Sequence, residues 1–368
     1  MKLAIVIGTR PEIIKMAPTI KLCRKLFDTL LIHTGQNYDR TLNQIFFEEM
    51  DLQEPDVYLD CSRENCCSAV GDIITKSYTI FKEHDIDCLL LLGDTNSALC
   101  AYSAKRLKIP IFHLEGGNRA FDPNVPEEIN RKIIDHLSDV NMCFMEHARR
   151  NLLKENGNPA YTFVIGSPIP EVFDNIMPKL KNSQVLEKFD LKKDEYIVWS
   201  VHREDNIDND ENFLEMMNSL NNTSEFCEKR IIFGAHPRTA KKITSSGIKL
   251  NDNIIITEPF GLIDYYCLQQ NASFVVSDSG TVSEESNLLK FKAILLRYST
   301  ERPECVDAGS IVLGNINWSN LKLSINTITH SNHIYNKVSE YTDKNFSEKV
   351  CKIIAGYHSI VNKMLWLK

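Results

Sequence analysis

The chain of 368 residues is predicted to be an α/β protein made of two doubly wound domains that face each other across a cleft. Short, continuous apolar runs alternate with longer amphipathic stretches, which is the pattern of parallel strands covered by helices on both faces. A polar segment over 177–194, rich in Lys, Asn, Asp and Ser, interrupts this alternation, which then starts again. The chain length also suits about two domains.

We expect a first domain over 1–178. Pro11 is well suited to a first helical position, because the N–H that proline lacks has no partner there. The predicted strands are 2–8, 29–34, 88–92, 109–114, 140–145 and 162–165. Four helices are predicted. The first runs from Pro11 to about residue 27, the second begins at about residue 41, the third covers about 68–83, and the fourth begins after residue 95.

The second domain is expected over 179–346, with the segment 347–368 forming an apolar, partly aromatic helix that packs back on the first domain. Thr281 and Glu284 have the spacing of a capping box at a helix start. The predicted strands are 196–201, 230–234, 253–256, 273–276 and 293–296. The predicted helices are about 211–221, 238–245, 262–270 and 282–289.

Composition and charge narrow the class of protein. The chain is 43% hydrophobic and 25% charged, as in ordinary globular proteins. A net charge of −7 argues against a general nucleic-acid or anionic-membrane surface. The first apolar run is too short for a signal peptide, and no run of about 18 apolar residues follows. We therefore expect a soluble, cytoplasmic protein.

The cysteines and histidines do not suggest a metal centre. Eleven cysteines are scattered without any C-x-x-C spacing, so reduced, packed thiols are expected rather than zinc or iron–sulfur ligands. His330 and His333 have a metal-like i, i+3 spacing, but no partner ligand is evident. We expect no metal.

The first strand ends in Gly8-Thr9-Arg10-Pro11-Glu12. This turn lacks the G-x-G-x-x-G fingerprint of dinucleotide sites and the G-x-x-x-x-G-K-[ST] of a P-loop. Arg10 could bind a phosphate in bidentate fashion, with Lys15 nearby in the same helix. A surface ion pair of Arg10 with Glu12 or another carboxylate is the alternative.

Three carboxylates follow strand or turn signals in the first half. Asp94 follows a run of four leucines, Glu115 follows another apolar strand, and Glu127 follows Pro126 at a helix start. Carboxylates at strand ends can act as acids or bases. Asp94 could instead cap the next helix, and Glu127 could simply interact favourably with the helix dipole.

The second half offers anion-binding groups after its strands. Ser279, Gly280 and Thr281 could present N–H and hydroxyl groups to a phosphate at a helix N-terminus. Glu285, one turn further, is placed to bind a ribose diol. Further cationic and imidazole candidates are His202, Arg203, His236 and Arg302. Acid and base groups in one domain and an anion site in the other suit chemistry on a sugar attached to a nucleoside diphosphate.

Seven motifs taken in order carry a resemblance to a known family: GTRPE, GDTNS, HLEGGNR, VPEEINRKIIDH, VHRE, DSGTVSEE and ERPE. The set resembles the non-hydrolysing UDP-N-acetylglucosamine 2-epimerases over essentially the whole chain. The resemblance implies a GT-B fold of two Rossmann-like domains, a homodimer, a UDP-N-acetylhexosamine substrate and no added cofactor. It also implies anti elimination of UDP to a glycal, followed by re-addition with the opposite C2 configuration.

Carried over position by position, the resemblance assigns roles to this chain's residues. The catalytic carboxylates would be Asp94, Glu115 and Glu127, with His202 assisting at the leaving group. The UDP-binding set would be Arg10, Tyr265, Ser279, Gly280, Thr281, Glu285 and Arg302. Tyr265 would stack on the uracil, where the family often has Phe. Supporting roles would fall to Lys15, Arg131, Arg203 and His236.

The sequence also departs from the family pattern. Gly280-Thr281 replaces the usual two glycines, Gln36-Asn37 replaces Gln-His, and the loop before Pro126 differs in composition and length. CSRENCCSAV replaces the Gln-rich stretch of an allosteric site, which argues against allosteric activation. With these changes the sequence resembles the branch of the family that epimerises 6-deoxy sugars, such as the UDP-N-acetyl-L-fucosamine-forming enzymes. A GT-B glycosyltransferase and a non-enzymatic nucleotide-sugar sensor are the alternative functions.

Overall fold

The computed structural model describes residues 1–35, 46–62, 64–331 and 336–368, and only the backbone of Glu204 and Asp205. The chain forms two compact units: unit 1 comprises Met1–Phe173 with Thr342–Lys368, and unit 2 comprises Asp174–Tyr341. The sequence placed this boundary between residues 178 and 179. The predicted helix start near 41, the Gln36-Asn37 pair and His333 lie outside the described residues.

Unit 1 contains a sheet of seven parallel strands in the order β3-β2-β1-β4-β5-β6-β7. All five residues of β4 are buried, because helices cover both faces of the sheet. The strands are β1 (Lys2–Ile7), β2 (Asp28–His33), β3 (Val57–Tyr58), β4 (Cys88–Leu92), β5 (Ile111–Leu114), β6 (Val140–Cys143) and β7 (Thr162–Val164).

The helices of unit 1 follow its strands. They are α1 (Arg10–Leu26), α2 (Cys66–Glu83), α3 (Ala101–Arg106), α4 (Glu127–Leu137), α5 (Glu146–Lys154) and α6 (Ile169–Leu180). A 3-10 helix over Asn96–Cys100 precedes α3, so the helix predicted after residue 95 begins with a tighter turn. The boundary between the units falls inside α6, and the polar segment over 177–194 is therefore partly helical.

Unit 2 repeats the plan with six parallel strands in the order β10-β9-β8-β11-β12-β13. Its strands are β8 (Tyr196–Ser200), β9 (Arg230–Gly234), β10 (Ile254–Thr257), β11 (Phe274–Ser277), β12 (Ala293–Leu295) and β13 (Ile311–Leu313). Its helices are α7 (Val185–Lys188), α8 (Glu204–Asp208), α9 (Asp210–Cys227), α10 (Pro237–Ser246), α11 (Leu262–Asn271), α12 (Thr281–Leu289), α13 (Pro303–Asp307) and α14 (Trp318–His330). The α/β class and the two Rossmann-like domains are confirmed.

The last helix, α15 (Phe346–Met364), packs against α1 in unit 1. The Sγ atoms of Cys23 and Cys351 lie 3.7 Å apart in this contact, and the hydroxyls of Thr19 and Ser347 are 3.0 Å apart. Among the described residues, neither α15 nor any other helix has the length and apolar character needed to span a membrane.

Each sheet has a point where the strand order reverses, between β1 and β4 in unit 1 and between β8 and β11 in unit 2. Loops leaving the carboxyl ends of two such strands diverge to opposite faces, and the crevice between them is where ligands bind in this class of fold. In unit 1 these loops carry Arg10 and Asp94. In unit 2 they carry His202 and the Asp278-Ser279-Gly280 turn.

Candidate functional site

Asp94 follows β4 and forms an ion pair with α4. Its Oδ2 lies 2.6 Å from Nε of Arg131, and the same guanidinium reaches Oε2 of Glu128 at 2.8 Å. The side chain does not cap the following 3-10 helix, whose N-cap is Thr95 without a side-chain capping bond. The capping alternative for Asp94 is therefore wrong, and its carboxylate is positioned by a cation from a helix distant in sequence.

Glu115 follows β5 with a left-handed backbone, at φ 67°. This conformation costs a residue with a Cβ about 1–2 kcal/mol, and such strained positions cluster at functional sites. Both carboxylate oxygens have partners: Oε2 accepts from Nζ of Lys15 at 3.0 Å, and Oε1 accepts from Nδ2 of Asn118 at 3.0 Å. The carboxylate is thus held at two points.

Glu127 is the first residue of α4 and is half-buried. Within the described part of the chain, its carboxylate has no hydrogen-bond or ion-pair partner. Its neighbour Glu128 is buried and accepts from the Ala120 amide as well as from Arg131. The position of Glu127 is compatible both with proton transfer and with a simple interaction with the helix dipole.

Glu12 proves to be an organising residue of the first turn. Its Oε2 accepts from the amides of Gly8 and Thr9 at 2.9 and 2.8 Å, and its Oε1 accepts from Oγ1 of Thr95 at 2.8 Å. Burial raises the pKa of Glu12 to about 7, although these hydrogen bonds oppose the shift. The suggested Arg10–Glu12 ion pair is wrong, since the Arg10 guanidinium instead lies 4.5 Å from the ring centre of Phe46.

Asp278 plays a similar part in unit 2, directly after β11. Its carboxylate is buried and accepts from the amides of His202 and Arg203 at 3.1 and 2.9 Å and from Nδ2 of Asn206 at 3.1 Å. Burial disfavours the ionised form, but His202 and these donors outweigh it and lower the pKa of Asp278. Its Oδ1 also lies 3.1 Å from Nδ1 of His202, whose side chain remains 56% exposed. Asp278 therefore orients an imidazole that is open to a ligand.

The α12 N-terminus begins at Thr281, and Gly280 is its N-cap without a side-chain capping bond. The predicted capping box of Thr281 and Glu284 is therefore wrong. The hydroxyls of Ser279 and Thr281 lie 3.0 Å apart. Nε of Arg297 donates to the Asp278 carbonyl at 2.6 Å. This helix end, with hydroxyls and a guanidinium beside it, is a suitable site for an anion.

The remaining unit 2 candidates lie on the surrounding helices. Glu285 is buried and accepts from Nε2 of Gln269 at 2.9 Å, which joins α12 to α11. Arg302 precedes α13, with its Nε 3.6 Å from the Glu284 carboxylate. Tyr265 lies on α11 beside Tyr266, with ring centres 6.4 Å apart. His236 is the exposed N-cap of α10.

The structure thus places one group of predicted residues near the carboxyl ends of the strands in each unit, while Glu285, Arg302 and Tyr265 lie on or beside the helices of unit 2. In unit 1 the group comprises Arg10, Lys15, Asp94, Glu115, Glu127 and Arg131, at the carboxyl ends of β1, β4 and β5 and on α1 and α4. In unit 2, His202, Arg203 and Ser279–Thr281 surround the β8 and β11 ends, while His236 follows β9.

Sequence reasoning missed Glu12, Asn118 and Asp278 as organisers of these groups. Each stands inside a motif already singled out, within three positions of a residue that was chosen. The signal that could have found them is a polar residue in a strand-end turn, where backbone amides need acceptors.

Comparison with known proteins identifies the family of the chain. The family model described as UDP-N-acetylglucosamine 2-epimerase matches residues 21–355. A UDP-N-acetylglucosamine 2-epimerase of Methanococcus maripaludis is 35% identical over 364 residues, covering 96% of this chain and 98% of that protein.

Two solved structures are also similar. The UDP-N-acetylglucosamine 2-epimerase of Rickettsia bellii is 39% identical with a TM-score of 0.91, and all of both chains is covered. The Methanocaldococcus jannaschii UDP-GlcNAc 2-epimerase, solved with UDP-GlcNAc and UDP, is 33% identical with a TM-score of 0.89, covering 97% of this chain and 100% of that one. From the motifs, the fold and these matches we conclude that the chain belongs to the UDP-N-acetylglucosamine 2-epimerase family and is an isomerase of the non-hydrolysing type.

Proposed function

We propose that the protein inverts C2 of a UDP-N-acetylhexosamine by eliminating UDP and adding it back through a glycal. The observation that carries this proposal is the set of three carboxylates in different environments in unit 1, two of them just after strands and one at the start of α4. Asp94 is paired with Arg131 and Glu115 with Lys15, whereas Glu127 has no such partner among the described residues. Carboxylates that differ in this way can divide charge stabilisation and proton transfer between them.

The chemistry requires more than one such group. The C2 hydrogen is a poor acid, so the C1–O bond must break first or together with its removal. UDP leaves with the electron pair of that bond, C2 loses its proton to a base, and the C2–H electron pair forms the C1–C2 double bond. Re-addition needs a proton delivered to the opposite face, and hence at least two proton-transfer groups.

The unit 1 carboxylates supply these groups in the proposed mechanism. Asp94 and Glu115, fixed by their cations, stabilise positive charge at C1 and orient the sugar. Glu127 is the proposed proton-transfer group on one face of C2, and one of the other two carboxylates, Asp94 or Glu115, is the proposed proton-transfer group on the opposite face.

Unit 2 supplies the UDP site in this proposal. His202, oriented by Asp278, and the N-terminus of α12 with Ser279, Gly280 and Thr281 stabilise the diphosphate as it departs. Glu285 binds the ribose diol, Tyr265 stacks on uracil, and the guanidinium groups of Arg10 and Arg302 add positive charge. The UDP ligand of the M. jannaschii relative supports this choice of nucleotide.

Turnover in D₂O tests the reaction. The reaction is run without any acceptor and is monitored by proton NMR. We expect deuterium at C2 of both the product and the recovered substrate. Turnover without label at C2 would exclude the proposed proton transfer. A GT-B glycosyltransferase, the alternative function, would instead require an acceptor.

Three substitutions test the carboxylates. Asp94→Asn, Glu115→Gln and Glu127→Gln should each lower kcat by at least about a hundredfold while the Kd for UDP, from calorimetry, stays within about twofold. Asp87→Asn, which alters an exposed carboxylate at the other end of β4, is the matched control. Unchanged kcat in all three variants would contradict the assignment.

The sugar and the assembly need their own measurements. A panel of UDP-N-acetylhexosamines, 6-hydroxy and 6-deoxy, in D and L forms, distinguishes UDP-GlcNAc epimerisation from the 6-deoxy reaction. We propose a homodimer in the cytoplasm, and analytical ultracentrifugation at several concentrations checks the dimer.

A further inference from the structure

A buried polar network lies behind the Glu115 loop and takes no direct part in the proposed chemistry. Its centre is His113, on β5 two residues before Glu115, with a side chain that is almost completely buried. Nε2 of His113 lies 2.8 Å from the carbonyl oxygen of Gly93, and Nδ1 lies 3.1 Å from Oδ1 of Asp135. His113 therefore bridges the residue before Asp94 and a carboxylate on α4.

The surroundings of His113 determine its protonation. Its Nδ1 faces Asp135 and, at 3.3 Å, Oδ1 of Asn141, whose Nδ2 donates to the Asp135 carbonyl. Its Nε2 faces a carbonyl oxygen. Because both ring nitrogens face acceptors, the doubly protonated, positively charged ring is the form that satisfies both contacts. Burial opposes this charge, but the hydrogen bond and charge of Asp135 outweigh it and raise the pKa of His113.

Asp135 extends the network to the Glu115 loop. Its carboxylate accepts from the Gly117 amide at 3.1 Å and from Nη1 of Arg119 at 2.7 Å. Nη1 of Arg119 also donates to the Asn118 carbonyl at 2.7 Å, and its other nitrogens bind Glu155 at 2.9 and 2.6 Å. The Asn118 side chain donates in turn to Glu115.

The loop itself has little freedom to move away from this network. A Cβ added to Gly117 would lie 2.2 Å from the carbonyl oxygen of Ala148, and one added to Gly116 would lie 2.9 Å from Oδ1 of Asn141. Glu115 and Gly117 both have left-handed backbones. The network therefore holds a strained loop closely against β6 and α5.

We propose that His113, held by Asp135, is a positioning residue that sets the relative placement of the Asp94 and Glu115 loops. The protonated ring ties the Gly93 carbonyl to the carboxylate that anchors Gly117 and Arg119, so that both carboxylates are presented in one geometry. This role is more than a contribution to stability. The expected effect on kcat rests on the proposed function, whereas the expected effect on hydrogen exchange does not.

The test compares His113→Gln and His113→Ala with Asp139→Asn. Asp139 is a matched control, because it is another buried carboxylate near β5 that accepts from a strand amide (Ile111) and a cation (Lys105), but at the amino end of the strand. Glutamine can still donate one hydrogen bond to Gly93, whereas alanine can donate none. Each variant is examined by hydrogen exchange, thermal unfolding, kcat and the Kd for UDP.

We expect faster amide exchange over 93–97 and 115–120 in both His113 variants, more in alanine than in glutamine, and no such change in Asp139→Asn. We also expect kcat to fall about tenfold or more in His113→Gln, and further in His113→Ala, with the Kd for UDP unchanged. Exchange unaltered in both loops would overturn the inference, as would wild-type kcat in both variants.

A loss of kcat that simply follows thermal stability across all three variants would also overturn it, since it would indicate a purely structural role. The two proposals fail separately. If the wild-type protein turns over no UDP-N-acetylhexosamine, the proposed function fails, while the exchange data still decide whether His113 links the two loops.

Discussion

The Nζ atom of Lys15 lies 3.0 Å from Oε2 of Glu115, although the two residues are 100 positions apart in the sequence. Both side chains are largely buried, at 9% and 11% exposure, so the attraction is only weakly screened by water. The first helix of the chain thus contributes a cation to a carboxylate at the end of the fifth strand.

Lys15→Met should lower kcat about tenfold or more while leaving the Kd for UDP unchanged, because Glu115 loses the cation that fixes one of its oxygens. Steady-state kinetics and calorimetry check this. Lys21→Met is the matched control on α1, since the Lys21–Asp51 pair is exposed and should contribute less than about 0.5 kcal/mol. Equal kinetics in the two variants would rule out this role for Lys15.

Glu12 should make stability depend on pH. Its pKa is about 7 in the folded protein and near 4.5 when unfolded, so the folded state binds the extra proton between these values. The carboxyl group therefore favours folding at low pH, and this contribution is lost as pH rises from 4.5 through 7. The loss amounts to about 3 kcal/mol of the free energy of unfolding.

Glu12→Gln should flatten this dependence, because the amide resembles the protonated acid and cannot ionise. Urea unfolding of wild type and variant between pH 5 and 8 measures the difference. Parallel curves for the two proteins would mean that Glu12 ionises normally in the folded state.

Gly117→Ala should be strongly destabilising, because Gly117 has φ 83° and an added Cβ would overlap the Ala148 carbonyl. Gly247 is a matched control, with φ 68° and no atom within 4 Å of an added Cβ. Gly247→Ala should cost about 1–2 kcal/mol, and Gly117→Ala about 2–3 kcal/mol more. Chemical denaturation checks both values, and similar costs would show that the loop can shift away from α5.

Asp278→Asn should weaken UDP binding and lower the free energy of unfolding by about 3 kcal/mol or more, because a buried acceptor of several donors loses its charge. Calorimetry and urea unfolding measure the two effects. Asp208→Asn, which removes an ion pair between exposed side chains of Asp208 and Arg238, should change neither appreciably. Tight UDP binding by Asp278→Asn would argue against a UDP site at this turn.

Local patterns were sufficient for most of the fold. The strand over 230–234 and the helix starting at Leu262 lie where the apolar periodicity predicted them. The pattern missed β3 and β13, since strands of two or three residues have too little periodicity to recognise. It also missed longer elements, among them the helices α5 and α14. It also treated 177–194 as a linker, although α6 and α7 extend through part of it.

The candidate site was predictable in its members but not in their contacts. Asp94, Glu115 and His202 stand after strands, and within each sheet parallel strands bring such residues to the same edge. Asp94 pairs with Arg131 and Glu115 pairs with Lys15, and each cation lies on a helix that is distant in sequence from its carboxylate. Only the structure also shows that Glu12, Asn118 and Asp278 accept or donate hydrogen bonds inside the turns.

The sequence by itself determined the α/β class, the two repeated units and which polar residues follow the strands, because these depend on periodicity over a few neighbouring residues. Only the tertiary structure decided that strand order reverses beside Asp94 and His202, and that His113 joins the Gly93 carbonyl to Asp135. These contacts depend on which elements pack together, and short-range patterns carry no information about partners many residues away.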